Sequence, residues 1–136
     1  MATLLEWSDS DSVKIVVLDD QHKKLFDLTN ELFTAMSARR GREVAGDILC
    51  RLLEYAAVHF EAEEKLMEEH QYPELDSHRG EHKAMREKVL AFQKAFDDGD
   101  NNVPPQLLVY LQLWLRNHLR RVDQQYSDFL NARGVQ

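Results

Sequence analysis

Apolar side chains recur at intervals of three and four residues along four long stretches of the chain. This spacing places them on one face of an α-helix, so the pattern predicts four amphipathic helices. We expect these helices at about residues 19–38, 43–69, 73–97 and 104–133. The links between them are short, which favours antiparallel neighbours. The predicted fold is therefore all-α, an up-down-up-down antiparallel four-helix bundle.

The first 18 residues lack this helical periodicity. They are polar at 8–12 and apolar at 13–18, and the run Val-Lys-Ile-Val-Val-Leu has the character of a strand. Because no second strand-like run is available to pair with it, we expect an extended N-terminal arm packed on the helices. The prediction is one domain over residues 1–136, with the arm at 1–18 and the bundle at 19–133. Gly41 is expected to end the first helix.

Seven side chains with metal-binding chemistry occupy inward positions of the helical stripes, and five of them are among the six histidines of the chain. One such histidine alone is more often a hydrogen-bonded core residue than a ligand. A buried carboxylate without a partner, however, costs several kcal/mol. A pair of divalent cations would satisfy all seven groups, so the pattern predicts a two-metal site in the bundle core. The candidate ligands are His22, His59, Glu63, His78, His82, His118 and Asp123.

The spacing of the candidate ligands is helical for two pairs and irregular for a third. His59 and Glu63, like His78 and His82, are four residues apart and stack on one helix face. His118 and Asp123 are five residues apart, an advance of ~500° that an ideal α-helix does not align. Either the carboxylate reaches sideways between two ions or the helix is locally widened, as happens at many functional sites. The sequence is compatible with both alternatives.

Composition narrows the choice of metal and of partner. Cys50 is the only cysteine and is expected to be a small core residue, which excludes an internal disulfide, cysteine-rich zinc sites and iron–sulfur clusters. Histidine-rich ligation disfavours calcium and magnesium and suits iron, manganese, zinc or copper. The formal net charge of −7 argues against a nucleic-acid partner. No secretory signal and no apolar stretch of ~20 residues is present, so we expect a cytoplasmic protein that does not associate with a membrane.

The ordered pattern H…HxxxE…HxxxH…HxxxxD resembles the signature of the hemerythrin family. The flanking residues agree with this resemblance, which covers essentially the whole chain. Its length and its arm are similar to those of the single-domain bacterial members, the bacteriohemerythrins. The matching segments are Trp7 in the arm, Asp20-Gln21-His22-Lys23 with Leu25-Phe26, His59-Phe60 with Glu63-Glu64, Tyr72-Pro73, and Trp114 before His118.

The resemblance implies a diiron centre whose two ions cycle between Fe2+ and Fe3+ and share an oxo or hydroxo bridge. Glu63 and Asp123 would be the two bridging carboxylates. One iron would bind the three histidines at 78, 82 and 118, and the other would bind those at 22 and 59 and keep one position open for dioxygen. The implied function is reversible dioxygen binding, as a carrier, store or delivery protein or in oxygen sensing, and not as an enzyme. We expect a monomer, and allow for an unidentified protein that receives the oxygen.

An apolar oxygen pocket is expected beside the open position, where it would slow the access of water and protons. Tyr126, one turn beyond Asp123, is expected either to steady that carboxylate or simply to pack. His70 lies at the expected C-terminal end of the second helix, where a histidine interacts well with the helix dipole, and is not assigned to metal.

The residues expected to line the apolar oxygen pocket, which also serve core packing, are Leu25, Phe26, Phe60, Leu66, Trp114, Leu115 and Leu119.

Three other functions compete with oxygen binding. A diiron enzyme of the ferritin-like or oxygenase kind would carry Glu-x-x-His pairs, and no histidine here has a glutamate three residues before it. Sensing, or chemistry on nitric oxide or peroxide, would use the same metal site. A metal-free interaction bundle would have to explain the buried Glu63 and Asp123.

Overall fold

The computed structural model describes residues 4–136, and within this range the chain is helical and forms no strand. A 3-10 turn at Asp9–Asp11 precedes the helices, and links of three to five residues join the first four of them. The fourth helix continues through a π-helical segment into a fifth. The bounds are α1 Val16–Ser37, α2 Gly41–Glu69, α3 Leu75–Asp97, α4 Val103–Trp114, the π segment Leu115–Val122 and α5 Asp123–Asn131.

These elements form a bundle of four helices in space, because α4, the π segment and α5 follow one another without a link. The most extensive contacts are those of α1 with α2 and of α2 with α3, and α4 packs on α1. The predicted all-α four-helix bundle is confirmed. No helix of the described range is both long enough and apolar enough to cross a bilayer.

The first helix begins at Val16, earlier than the predicted start near residue 19. Part of the run that has strand character is therefore helical, and the expectation of an arm through residue 18 was wrong for its last three residues. The carboxylate of Asp19 accepts hydrogen bonds from the Val13 amide at 2.8 Å and the Ser12 hydroxyl at 2.5 Å. These bonds close the turn before α1, so local side-chain hydrogen bonding outweighs the strand preference of an unpaired β-branched run.

Gly41 is the first residue of α2, whereas it was predicted to end α1. The left-handed position after α1 is taken by Arg39, whose φ is 60°. A Cβ on Gly41 would lie 2.8 Å from Cγ of Met36. A side chain at this position would have to displace Met36, so the close approach of α1 and α2, and not the conformation of its own backbone, favours glycine here.

Two groups of buried apolar side chains form the core. The large cluster includes residues from all four bundle helices, and the small cluster joins the N-terminal segment to α5 and the end of α2. The Ser127 hydroxyl and the Asn131 amide both donate to the Val13 carbonyl, at 2.8 and 3.0 Å, so the N-terminal segment packs on α5. The small cluster contains Val13, Ile15, Leu18, Met67, Tyr72, Tyr126 and Leu130.

One detail of the predicted core was wrong. Cys50 is exposed on α2, because it follows the buried pair Ile48 and Leu49 and lies just outside their stripe. On α4, Leu107 is fully buried whereas Leu108 is only partly buried. The stripe of α4 therefore runs through Leu107 and Leu111, four residues apart, as an α-helix requires.

Candidate metal centre

The seven predicted ligands converge in the interior of the bundle. Each is no more than 3% exposed, so none is hydrated by bulk water. Every helix of the bundle contributes at least one of them, which means that the site forms only when the helices pack. They are His22 on α1, His59 and Glu63 on α2, His78 and His82 on α3, His118 in the π segment and Asp123 at the start of α5.

The ligand atoms divide into two groups, within each of which they lie no more than 4.8 Å apart. We call these the three-histidine group and the two-histidine group. The three-histidine group consists of His78, His82 and His118 with Glu63. The two-histidine group consists of His22 and His59 with Glu63 and Asp123.

Glu63 lies between the two groups and faces both. Its Oε2 is 3.1 Å from Nε2 of His22 and 3.2 Å from Nε2 of His59. Its Oε1 is 3.1 Å from Nε2 of His82 and 3.4 Å from Nε2 of His78. Each oxygen of this carboxylate therefore serves a different group.

Asp123 has the same relation to the two groups. Its Oδ1 is 3.0 Å from Nε2 of His118 and 3.1 Å from Nε2 of His78, both in the three-histidine group. Its Oδ2 is 3.3 Å from Nε2 of His22 in the two-histidine group. A carboxylate placed in this way can share its two oxygens between two cations.

The π segment explains how His118 and Asp123 meet across five residues. The amide of Asp123 donates to the carbonyl of His118, which is the i→i+5 bond of a π-helix. This wider turn brings both side chains to the same face, so the structure selects the locally widened helix of the two alternatives. The segment contains neither glycine nor proline, and hence nothing in its composition marks the widening.

Charges within the site are balanced by protonated imidazoles when no metal is present. Burial opposes protonation of His22 and His78, yet the nearby carboxylates of Asp123 and Glu63 raise the pKa of His22 to about 9 and that of His78 to about 10. Burial lowers the pKa of His59, which is therefore neutral at pH 7. In the metal-free site, protonated His22 and His78 thus face the two carboxylates.

The carboxyl groups of Glu63 and Asp123 are ionised because the imidazoles beside them favour the charged form. Burial alone would raise the pKa of Glu63, but the surrounding imidazoles of His59 and His22 hold it well below its usual value. Burial and the charge of Glu63 oppose ionisation of Asp123, but the His118 and His22 imidazoles hold the pKa of its carboxyl below its usual value. Both acids are therefore ready to bind cations at neutral pH.

Metal loading is expected to release about two protons per chain at pH 7, because His22 and His78 must lose their protons to coordinate. The measurement is the absorbance change of a pH indicator while Zn2+ is added to weakly buffered metal-free protein. Raised pKa values stabilise the metal-free fold fully below pH 6.5, and this contribution is lost as pH rises through about 9 to 10. Loading without proton release, or undiminished stability of the metal-free protein at pH 10, would contradict the prediction.

Several buried ligand atoms lie within 3.4 Å of one another but make no hydrogen bond of acceptable geometry within the described residues. More than nine-tenths of buried polar groups in proteins are satisfied, so a cluster of such atoms needs an explanation. Lone pairs directed at bound cations provide one, and nitrogen and carboxylate donors in these proportions suit a transition metal. The side-chain atoms are Nε2 of His78, His82 and His118, Oε1 of Glu63 and Oδ1 of Asp123.

The outer ring nitrogens of three histidines face residues that sequence reasoning missed. Nδ1 of His59 is 2.7 Å from the amide oxygen of Gln21, and Nδ1 of His82 is 2.8 Å from Oε2 of Glu64. Such partners fix the tautomer and direct Nε2 toward the metal. Nδ1 of His118 is 3.6 Å from Oε1 of Glu81, too far for a hydrogen bond. These contacts cross between helices, so the only sequence signal is that Gln21, Glu64 and Glu81 each adjoin a predicted ligand.

Two tyrosines also adjoin the site. The Tyr126 hydroxyl donates to Oε2 of Glu63, not to Asp123 as expected. The ring of Tyr126 reaches past its own helix to α2, which local spacing along the chain cannot show. Tyr55 was missed, although it lies four residues before His59, a spacing that places both on one face. Their rings stack at 5.2 Å with an interplanar angle of 17°.

The predicted oxygen-pocket residues do not all lie together. Five are buried in the large cluster and Trp114 packs against it, but Leu66 packs with the small cluster. Leu66 thus differs from the other candidates in the cluster that it contacts, and the oxygen pocket itself stays a prediction. Trp114 stacks on His118 at 4.0 Å, and Phe60 stacks on His82 at 3.8 Å. The five buried members are Leu25, Phe26, Phe60, Leu115 and Leu119.

The family model described as "Hemerythrin HHE cation binding domain" matches residues 13–130, which include all seven predicted ligands. This chain belongs to the hemerythrin family. Membership of a family of cation-binding domains, together with the two buried ligand groups, indicates a metal cofactor. His70, the sixth histidine, lies at the C-terminal end of α2 and belongs to neither group.

Relatives within the hemerythrin family match almost the whole chain. A bacteriohemerythrin of Stenotrophomonas maltophilia is 33% identical over 129 residues, which are 95% of this chain and 83% of the relative. One of Methylococcus capsulatus is 31% identical over 130 residues, 95% of this chain and 98% of the relative. A crystal structure of wild-type hemerythrin has a TM-score of 0.83 at 30% identity and covers 93% of this chain and 98% of its own.

Proposed function

We propose that this protein binds dioxygen reversibly at a centre of two iron ions and acts as an oxygen carrier, store or delivery protein, not as an enzyme. The observation that supports this best is that each of two buried carboxylates faces both histidine groups, one oxygen to each. Relatives named bacteriohemerythrin at about one-third identity support the same function.

The residues present fit two ions with unequal protein ligation. The three-histidine group would hold one iron through three Nε2 atoms, and the two-histidine group would hold the other. Glu63 and Asp123 would be shared between the ions. Because the second ion would have one histidine fewer, it is the ion at which dioxygen would find a coordination position. When bound, the iron pair supplies the two electrons that dioxygen binding draws on and recovers them on release.

The surrounding side chains favour reversibility by excluding water. Leu25, Leu115 and Leu119 are no more than 2% exposed and belong to the large cluster that borders the site. Apolar walls of this kind limit the arrival of protons, which would otherwise promote the loss of reduced oxygen. The neutral imidazoles also leave the centre less electron-rich than a site of carboxylates, which disfavours highly oxidised iron.

Two hydrogen bonds would hold the ligands in place during an oxygenation cycle. The Tyr126 hydroxyl donates to Glu63 and restricts rotation of that carboxylate. The amide oxygen of Gln21, at 2.7 Å from Nδ1 of His59, holds the proton on that nitrogen. Nε2 of His59 then carries the free lone pair that can coordinate a metal ion, and the ring need not reorient when the ligand at the second ion changes.

An optical titration of anaerobically iron-loaded protein tests this function. We expect an oxygen-dependent charge-transfer band that appears in air, disappears under vacuum and returns on re-exposure. Zinc-loaded protein is the control and should show no such band. Oxidation in air without recovery under vacuum would point to an oxidase. Less than one bound metal per chain after iron loading would favour a metal-free interaction bundle.

A further inference from the structure

All seven candidate ligands are buried, so a metal ion must reach them through the protein surface. Two surface cavities include a candidate ligand in their walls. One, of about 480 Å³, lies between α1 and α2 and reaches His59. The other, of about 270 Å³, reaches His78 and lies where the start of α3 meets the π segment and α5. These cavities are the candidate routes by which ions pass from water to the ligands.

The second cavity has the character of a cation-binding surface, and we call it the acidic cavity. Its walls carry two carboxylates and no lysine or arginine, whereas the cavity between α1 and α2 mixes three carboxylates with Lys24 and Arg51. Carboxylate, hydroxyl and amide oxygens are suitable partners for a hydrated divalent cation. A cleft lined by charge of one sign also raises the local concentration of counter-ions. The lining residues are Tyr72, Glu74, Ser77, His78, Glu81, Val122 and Gln125.

Glu81 connects this cavity to the three-histidine group. Its side chain is 42% exposed, yet its Oε1 lies 3.6 Å from Nδ1 of His118. That nitrogen is buried, and it has no hydrogen-bond partner among residues 4–136. One carboxylate therefore extends from water to a ligand histidine whose outer nitrogen is still unpaired. Independently of the acidic lining, the cavity is bordered by His78, which is 2% exposed and whose Nε2 has no hydrogen-bond partner among residues 4–136.

We propose that the acidic cavity is the route by which ferrous ions enter the protein, with Glu74 and Glu81 binding the hydrated cation before it passes His78 into the three-histidine group. The proposal rests on the proposed diiron function. Glu74 is exposed at the mouth of the route, Glu81 is half-exposed, and His78 is buried at its inner end. The order of burial thus follows the path of the ion, and metal–ligand exchange is its only chemistry.

Uptake kinetics of chelator-stripped, full-length protein test the route. Fe2+ is mixed anaerobically with the protein in a stopped-flow instrument, and Co2+, whose absorption reports its coordination, repeats the measurement without redox chemistry. The double variant Glu74→Gln/Glu81→Gln is expected to load about tenfold more slowly at low ionic strength. The deficit should shrink as salt is added, because screening weakens the attraction of the cavity for cations. The final number of ions per chain should be unchanged.

Two further variants separate the route from damage to the site. Glu74→Gln alone leaves Glu81 in place beside His118 and should slow uptake by a smaller factor. Glu54→Gln removes the same charge from the cavity between α1 and α2 and is the matched control, expected to load at the wild-type rate. Wild-type uptake by Glu74→Gln and by the double variant, or slower uptake by Glu54→Gln, would overturn the route. Failure of the wild-type protein to bind two ions would instead refute the proposed diiron function.

Discussion

Glu63→Ala is expected to reduce bound iron from two ions per chain to one or none. Glu63 is fully buried and lies within 3.4 Å of four histidine Nε2 atoms, two in each group, so its removal takes a ligand from both ions. It also leaves the Tyr126 hydroxyl without its acceptor. The metal-free variant should lose about 3–5 kcal/mol of stability, since a buried charge pair is broken from one side.

The measurement for Glu63→Ala is the iron-to-protein ratio after anaerobic loading, with circular dichroism to establish that the helices form. Glu61→Ala, an exposed position two residues earlier on α2, is the matched control and should retain both ions. Glu63→Gln keeps the shape and one carbonyl oxygen, and should lose affinity even if the alanine variant does not fold. Two tightly bound ions in either Glu63 variant would contradict its assignment as the shared ligand.

His118→Ala is expected to weaken binding of the ion in the three-histidine group by more than 100-fold. Loss of a residue that hydrogen-bonds to a metal ligand already lowers metal affinity about 10–100-fold, and loss of the ligand itself should lower it further. His118 contributes Nε2 at 3.0 Å from Asp123, and its ring stacks on Trp114, so the substitution also leaves a cavity beside that carboxylate. The oxygen-dependent absorption band should disappear, because the proposed function needs both ions.

A calorimetric metal titration distinguishes this variant from Glu63→Ala. We expect His118→Ala to retain one ion in the two-histidine group, whose histidines it does not touch. His70→Ala is the matched control, since His70 is the one histidine outside both groups, and it should bind two ions and oxygen normally. If His118→Ala bound two ions and oxygen like the wild-type protein, the assignment of His118 to the three-histidine group would be wrong.

The helices were predictable because their periodicity is a local property of the chain. The stripes of α2 and α3 run almost without interruption, and the structure has α2 and α3 within about two residues of the predicted bounds. The predictions that were wrong lie where the ends of helices meet other parts of the chain. α1 begins at Val16, where Asp19 in its first turn accepts hydrogen bonds from the preceding segment, and the approach of Met36 favours glycine at position 41.

The candidate site was predictable only as far as single helices dictate it. His59 and Glu63 share a face because they are four residues apart, and the same holds for His78 and His82. By contrast, the partner of Tyr126, the position of Leu66 and the contacts of Gln21, Glu64 and Glu81 depend on the neighbouring helix. The exposed position of Cys50 likewise follows from which face of α2 the other helices cover.

The sequence alone was sufficient to predict the four helices, the family and the seven side chains that meet at the centre of the bundle. These follow from residue type and from the constant geometry of the α-helix. Only the tertiary structure showed that each carboxylate faces both histidine groups and that the π segment aligns His118 with Asp123. Those features depend on the relative depth and rotation of packed helices, which are set by the fit of many side chains at once and leave no periodic mark on the chain.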